Sequence, residues 1–132
     1  MSVRWKPEFS VGVPEIDMQH KTIFLFLEDL DQSLTTDHDE EVLYNSISFL
    51  KDYVEKHFKF EEDCMFKHAC PAAADNQEAH RKFLTAFDLI VNRYEDHDDP
   101  KVLLAEVQST VRLWLVNHIM RIDTHLKGCI AT

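Results

Sequence analysis

Six side chains in this sequence combine metal-ligand chemistry with helical spacing: His20, His57, Glu61, His80, His118 and Asp123. His57 and Glu61 are four residues apart, one turn of helix, so their side chains share a face. Imidazole and carboxylate together suit iron, manganese or zinc, whereas copper–thiolate and iron–sulfur centres require cysteine. Six groups also exceed what one tetrahedral zinc takes. If these groups are buried they need partners, because an uncompensated buried charge costs on the order of several kcal/mol. A bound metal removes that cost.

Burial is what the surrounding pattern predicts. Ile16, Ile23, Phe24, Leu27, Leu30 and Leu34 recur at the 3-and-4 spacing of a first helix starting near Asp17, with His20 one step before Ile23. Leu43, Ile47, Leu50 and Val54 trace a second helix, from about residue 39 toward His68, opened by a capping box of Asp37 with Glu40. Extending that stripe reaches His57, Glu61 and Cys64. After the Cys70-Pro71 break a third stripe runs Asn76, His80, Phe83, Phe87, Ile90 and Tyr94, with Asp75 and Glu78 as a second cap signature. Asp99-Pro100 places an N-cap before proline at the first helical position, and Leu104, Val107, Val111, Trp114, His118 and Ile122 continue a fourth helix toward Gly128. Short connections force neighbouring helices to run antiparallel, so the expected fold is all-α: an up-down-up-down four-helix bundle with an N-terminal arm, one domain over residues 1–132. The starts of helices one and three then meet the ends of helices two and four, and the six groups share one level.

Composition narrows the function classes. With 45% hydrophobic and 29% charged residues, nine Phe and two Trp, the 132-residue chain can bury a core and is not disordered. A formal net charge of -10 disfavours nucleic acid and anionic lipid as partners. No apolar run reaches membrane-spanning length and the N-terminus lacks a signal-peptide core, so a cytoplasmic protein is expected. Cys64, Cys70 and Cys129 are odd in number without C-x-x-C spacing and are read as reduced thiols. A monomer is the default expectation.

The ordered motifs resemble the single-domain bacterial form of hemerythrin: an early Trp5, GVPEIDMQH from Gly12 to His20, HFKFE from His57 to Glu61, HRKFL from His80 to Leu84, and WLVNHIMRID from Trp114 to Asp123. The resemblance spans Trp5 to Asp123 and implies two carboxylate-bridged non-heme iron ions in a four-helix bundle that binds dioxygen. Carried over residue by residue, it makes Glu61 and Asp123 the bridging carboxylates. His20 and His57 become terminal ligands of the iron with an open position, and His80 and His118 ligands of the other. The family's third-helix motif is H-x-x-x-H, and alignment on Phe83 puts its first histidine at Asn76, a weak neutral ligand. Asn76 or water then completes the shell, or the second iron binds weakly, or the position admits outside ligands.

The implied role is dioxygen storage, transport, delivery or sensing. The alternatives are an oxidase- or peroxidase-like enzyme using the position left by Asn76, and an excised sensor domain. His38 and His97 read as solvated loop residues, and His68 and His125 as lying beyond the ligand level. Cys64 reads as packing. Phe24, Phe58, Phe83, Trp114, Leu115 and Ile119 read as core that also walls the site from water.

Overall fold

The computed structural model describes residues 4–35, 40–94 and 99–130. Four long helices, α1 (Pro14–Ser33), α2 (Glu40–Lys67), α3 (Ala73–Asn92) and α4 (Pro100–Arg121), are followed by a 3-10 turn, Asp123–His125, and a short α5, Leu126–Ile130. α1 and α3 each pack against both α2 and α4, the order of a four-helix bundle. The arm carries a 3-10 turn, Pro7–Phe9, whose Phe9 stacks on Phe24 of α1 with ring centroids 5.8 Å apart. Among the described residues no helix is long and apolar enough to cross a membrane.

Local chemistry explains most helix ends. Pro14 and Pro100 occupy first-turn positions, where the missing N–H costs nothing. The Asp99 side chain accepts from the Lys101 N–H at 2.9 Å, the expected cap. α1 begins at Pro14 rather than near Asp17, and the Asp17 carboxylate instead holds the arm, accepting from Ser10 Oγ at 2.6 Å and Val11 N at 2.8 Å. Gly12, next along, adopts φ +80, and a Cβ there would stand 3.1 Å from Lys127 Cγ, so the arm and α5 meet at a residue without a side chain.

Two expected features of the helix ends are corrected. The Asp75–Glu78 cap does not form: α3 starts earlier, at Ala73, without a side-chain cap, and Glu78 pairs with Arg81 instead. The fourth helix does not run on to Gly128 but ends at Arg121, and Asp123 falls in the following turn. Asp37 of the expected capping box, like His38 and His97, lies outside the described residues.

The reading of all three cysteines as thiols is also corrected. Cys70 and Cys129 form a disulfide with Cα atoms 5.6 Å apart, and Cys64 alone is free. The partners are 59 residues apart, brought together because α5 folds back onto the α2–α3 connection, so local spacing carried no sign of the pair. Cross-linking so distant a pair removes on the order of 4 kcal/mol of unfolded-chain entropy.

The core is split. A large cluster containing Ile23, Leu27, Leu50, Val54, Phe83, Leu104 and Val107 fills one end of the bundle. A smaller one of Val11, Ile16, Met65, Cys70, Ala73 and Leu126 closes the other. In each long helix the polar residues of the next section lie between the two.

α2 ends in a Schellman motif: Cys70 N donates to Met65 O at 2.9 Å and Ala69 N to Phe66 O at 3.1 Å. Ala69 therefore takes φ 52, where a Cβ is strained and glycine is not. Ala69→Gly is expected to raise stability by about 1 kcal/mol, seen as a rise in Tm of roughly 3 to 5 °C in thermal unfolding. A fall in Tm would show that the αL residue is not strained.

Candidate metal centre

All six sequence-predicted residues, with Asn76, converge in one buried layer between the two apolar clusters. His20 comes from α1, His57 and Glu61 from α2, Asn76 and His80 from α3, His118 from α4, and Asp123 from the turn after it. Their meeting requires the antiparallel arrangement, since residues near the starts of α1 and α3 face residues near the ends of α2 and α4.

Each carboxylate is shared between two groups of imidazoles. Glu61 Oε2 lies 3.3 Å from both His20 Nε2 and His57 Nε2, while Glu61 Oε1 lies 3.2 Å from His80 Nε2. Asp123 divides likewise, with Oδ2 3.3 Å from His20 Nε2 and Oδ1 3.1 Å from His118 Nε2. The result is two adjacent donor groups, His20 with His57 and His80 with His118, spanned by the same two acids. Glu61 belongs to both of the clusters that could hold an ion.

Electrostatics makes the layer costly as it stands. Among the described residues no lysine or arginine pairs with Glu61 or Asp123, so any balancing charge must be a proton on histidine or a cation. Burial pulls the His20 pKa down, but Asp123 and Glu61 outweigh it and raise it to about 9. Burial would lift Glu61, yet His20, His57 and His80 hold it well below the usual carboxylate range. Burial prevails at His57 and lowers its pKa, while at His80 the carboxylates of Glu61 and Glu62 overcome burial and raise it.

Hydrogen bonding does not satisfy the layer either. His20 Nε2, His57 Nε2, Glu61 Oε2 and both oxygens of Asp123 are buried without a hydrogen-bond partner, because their close approaches lack hydrogen-bond geometry. Each such atom costs roughly 1 to 3 kcal/mol. All are ligand atoms, and all point into the same layer, so the donor set fits a pair of cations of the iron, manganese or zinc type.

Asn76 is fully buried and engaged at both ends of its amide. Its Nδ2 donates to Glu61 Oε1 at 3.0 Å, and its Oδ1 accepts from His118 Nε2 at 2.7 Å. The amide thus sits between Glu61 and His118 in the His80–His118 half of the layer.

Two outer partners escaped the sequence reading. His57 Nδ1 donates to Gln19 Oε1 at 2.7 Å, and His80 Nδ1 donates to Glu62 Oε2 at 2.9 Å. These bonds fix ring orientation and direct Nε2 into the layer. Gln19 and Glu62 adjoin His20 and Glu61 in sequence, so adjacency was the available signal, but each serves a histidine on a different helix. Aromatic rings brace the other half: Phe58 stacks on His80 at 3.8 Å and Trp114 on His118 at 4.3 Å.

Other residues stay out of the layer. His68 and His125 are exposed, His68 Nδ1 turning to Cys64 O at 2.9 Å. Cys64 packs against the smaller cluster and joins neither donor group.

Comparison with known proteins agrees with this architecture. A model of the hemerythrin family, described as the Hemerythrin HHE cation binding domain, matches residues 11–130. The chain belongs to the hemerythrin family. It is 31% identical over 126 residues to a hemerythrin-like protein of Naegleria gruberi, covering 96% of this chain and 92% of that protein. It is likewise 31% identical over 124 residues to a bacteriohemerythrin of Methylococcus capsulatus, covering 94% and 92%. A bacteriohemerythrin of Stenotrophomonas maltophilia shares 27% over 115 residues, covering 87% and 72%. As a hemerythrin-family metal-binding domain, the chain has a reason to tolerate an unsatisfied polar layer.

The anionic Glu62 contact serves the half that contains Asn76, whereas the neutral Gln19 serves the other. Glu62→Gln is therefore expected to weaken metal binding in the His80–His118 half by roughly tenfold or more, leaving the other half nearly unchanged. Competitive titration against a chelator checks this, and equal weakening of both halves would refute the assignment.

Proposed function

We propose that this chain, acting as one domain, binds two iron ions across Glu61 and Asp123 and takes up dioxygen for storage, delivery or sensing. The observation that carries this reading is the division of each carboxylate's two oxygens between the two histidine groups. One ion would be held by His20 and His57, the other by His80 and His118, with the two acids common to both. When bound, the iron pair supplies the electrons that make dioxygen binding possible.

The protein's own contribution is positional. His57 and His80 are oriented by Gln19 and Glu62, so their Nε2 atoms need no rearrangement to meet a cation. Phe58, Leu115 and Ile119 are buried around the layer and exclude water, which slows proton delivery to a bound oxygen molecule. Asn76 stands where the family resemblance has a histidine. Its amide oxygen accepts from His118 Nε2 at 2.7 Å, and a cation that displaces this proton would find a lone pair on each atom. The filled amide position favours an oxygen-binding role over an enzyme with an open third ligand site.

Metal content and visible absorption test the reading together. Protein purified anaerobically is expected to hold two irons per chain and to show an absorption change that appears with air and reverses on its removal. One iron per chain, or irreversible oxidation, would overturn it.

Two substitutions separate the roles. Glu61→Gln removes half of the shared charge and is expected to abolish retention of both irons through desalting. Asn76→His is expected to slow loss of the second iron by about tenfold, since imidazole is the stronger ligand. Unchanged loss kinetics would show that Asn76 does not limit the site.

A further inference from the structure

The Cys70–Cys129 disulfide lies outside the polar layer, yet it is tied to one of that layer's acids. Cys129 follows Asp123 by six residues, with only the 3-10 turn and α5 between them. α5 has five residues, too few to persist on its own hydrogen bonds. What holds this segment is the burial of Leu126, the approach of Lys127 to Gly12 and the covalent bridge to Cys70 in the α2–α3 connection. Asp123 depends on that hold more than its companions do. Neither of its carboxylate oxygens has a hydrogen-bond partner, so apart from its contacts with His20 and His118 it is the backbone of the turn that aims it into the layer.

The bridge can be reached from outside. A surface cavity of about 240 Å³ opens on Cys70 and Cys129, with Pro71, His125 and Gly128 around it. A Cβ added to Gly128 would meet nothing within 4 Å, so α5 leaves this approach clear. Cys129 is half-buried, whereas Cys70 is only 7% exposed, so Cys129 is the more accessible residue of the pair.

We propose that the Cys70–Cys129 bridge is a reducible latch: a dithiol entering this cavity opens it, frees α5 and the Asp123 turn, and loosens the hold on bound metal. The inference rests on reading Asp123 as a metal ligand. In the first step a thiolate of the dithiol attacks Cys129 Sγ, a mixed disulfide forms as the Cys129–Cys70 bond breaks, and Cys70 leaves as thiolate and takes a proton from water. The second thiol of the same molecule, once deprotonated, then displaces Cys129, which is protonated in turn. The dithiol ends as its own disulfide, and two electrons and two protons have passed to the cysteine pair. Metal retention in this chain thereby follows the thiol redox state of its surroundings.

The test uses the full chain, oxidised or reduced with dithiothreitol that is removed anaerobically before measurement. Denatured protein purified without reductant is expected to show one free thiol, Cys64, and three after reduction. Hydrogen exchange on protein without added metal is expected to lose protection over residues 122–130 on reduction, while the middle of α2 keeps its own. Ferrous iron loaded anaerobically is expected to leave for a chelator roughly tenfold faster from reduced protein. Cys64→Ser keeps this response, and the double variant Cys70→Ser/Cys129→Ser releases iron at the reduced rate with or without dithiothreitol. If the double variant fails to fold, the comparison of oxidised with reduced wild-type chain still decides. Three free thiols before reduction, or unchanged exchange over residues 122–130 after it, would overturn the latch. The exchange measurement needs no metal, so a chain that takes up no iron would defeat the proposed function while leaving the latch separately testable.

Discussion

Two buried carboxylates, with no lysine or arginine among the described residues to balance them, set the terms for the rest of this bundle. Glu61 and Asp123 are both fully buried, and the groups within reach are four imidazoles and one amide. Protons on histidine are a costly way to offset the charge, because burial opposes protonation of His20, His57 and His80. An arrangement this costly persists when a cation completes it, and metal binding of this kind is folding free energy as much as ligand affinity. The two separate apolar clusters follow from the same constraint, since a polar layer crossing all four helices divides what would otherwise be one core.

The two halves of the layer differ in ways that compensate. The His20–His57 half has two imidazoles and a neutral outer acceptor in Gln19. The His80–His118 half adds the neutral Asn76 but receives an anionic outer acceptor in Glu62, together with stacked Phe58 and Trp114. A carboxylate accepting from Nδ1 makes the imidazole a stronger donor through Nε2. The half that holds the neutral amide is thus the one whose imidazole is backed by an anion.

Asp123 shows why the end of α4 matters. Had the helix continued, residue 123 would have kept the helical register of His118, five positions on and therefore on a different face. Breaking the helix at Ile122 and starting a 3-10 turn swings the carboxylate inward, between His20 and His118. The smaller apolar cluster and the disulfide close over that turn, so the bundle's end positions a buried carboxylate as well as sealing the core.

Much of this was legible in the order of residues, and the reason is periodicity. Apolar residues at helical spacing declare a buried face, so His57, Glu61, His80 and His118 declared themselves as buried polar groups, and short connections made their levels coincide. The buried polar set, the bundle and the family resemblance all depend on that local regularity. Pairings across long sequence distances obey no such period. The Cys70–Cys129 bridge, the bonds from His57 to Gln19 and from His80 to Glu62, and the seating of Asn76 between Glu61 and His118 each join residues on different elements. The break after Arg121 belongs with them, since just beyond it Asp123 turns into the layer and Leu126 packs into the smaller cluster. Side-chain type and helical period are local properties, so the order of residues was enough to say which faces are buried and what chemistry they carry. Which atom meets which depends on how separate helices are rotated and stacked against one another, and that emerges only when the bundle is assembled.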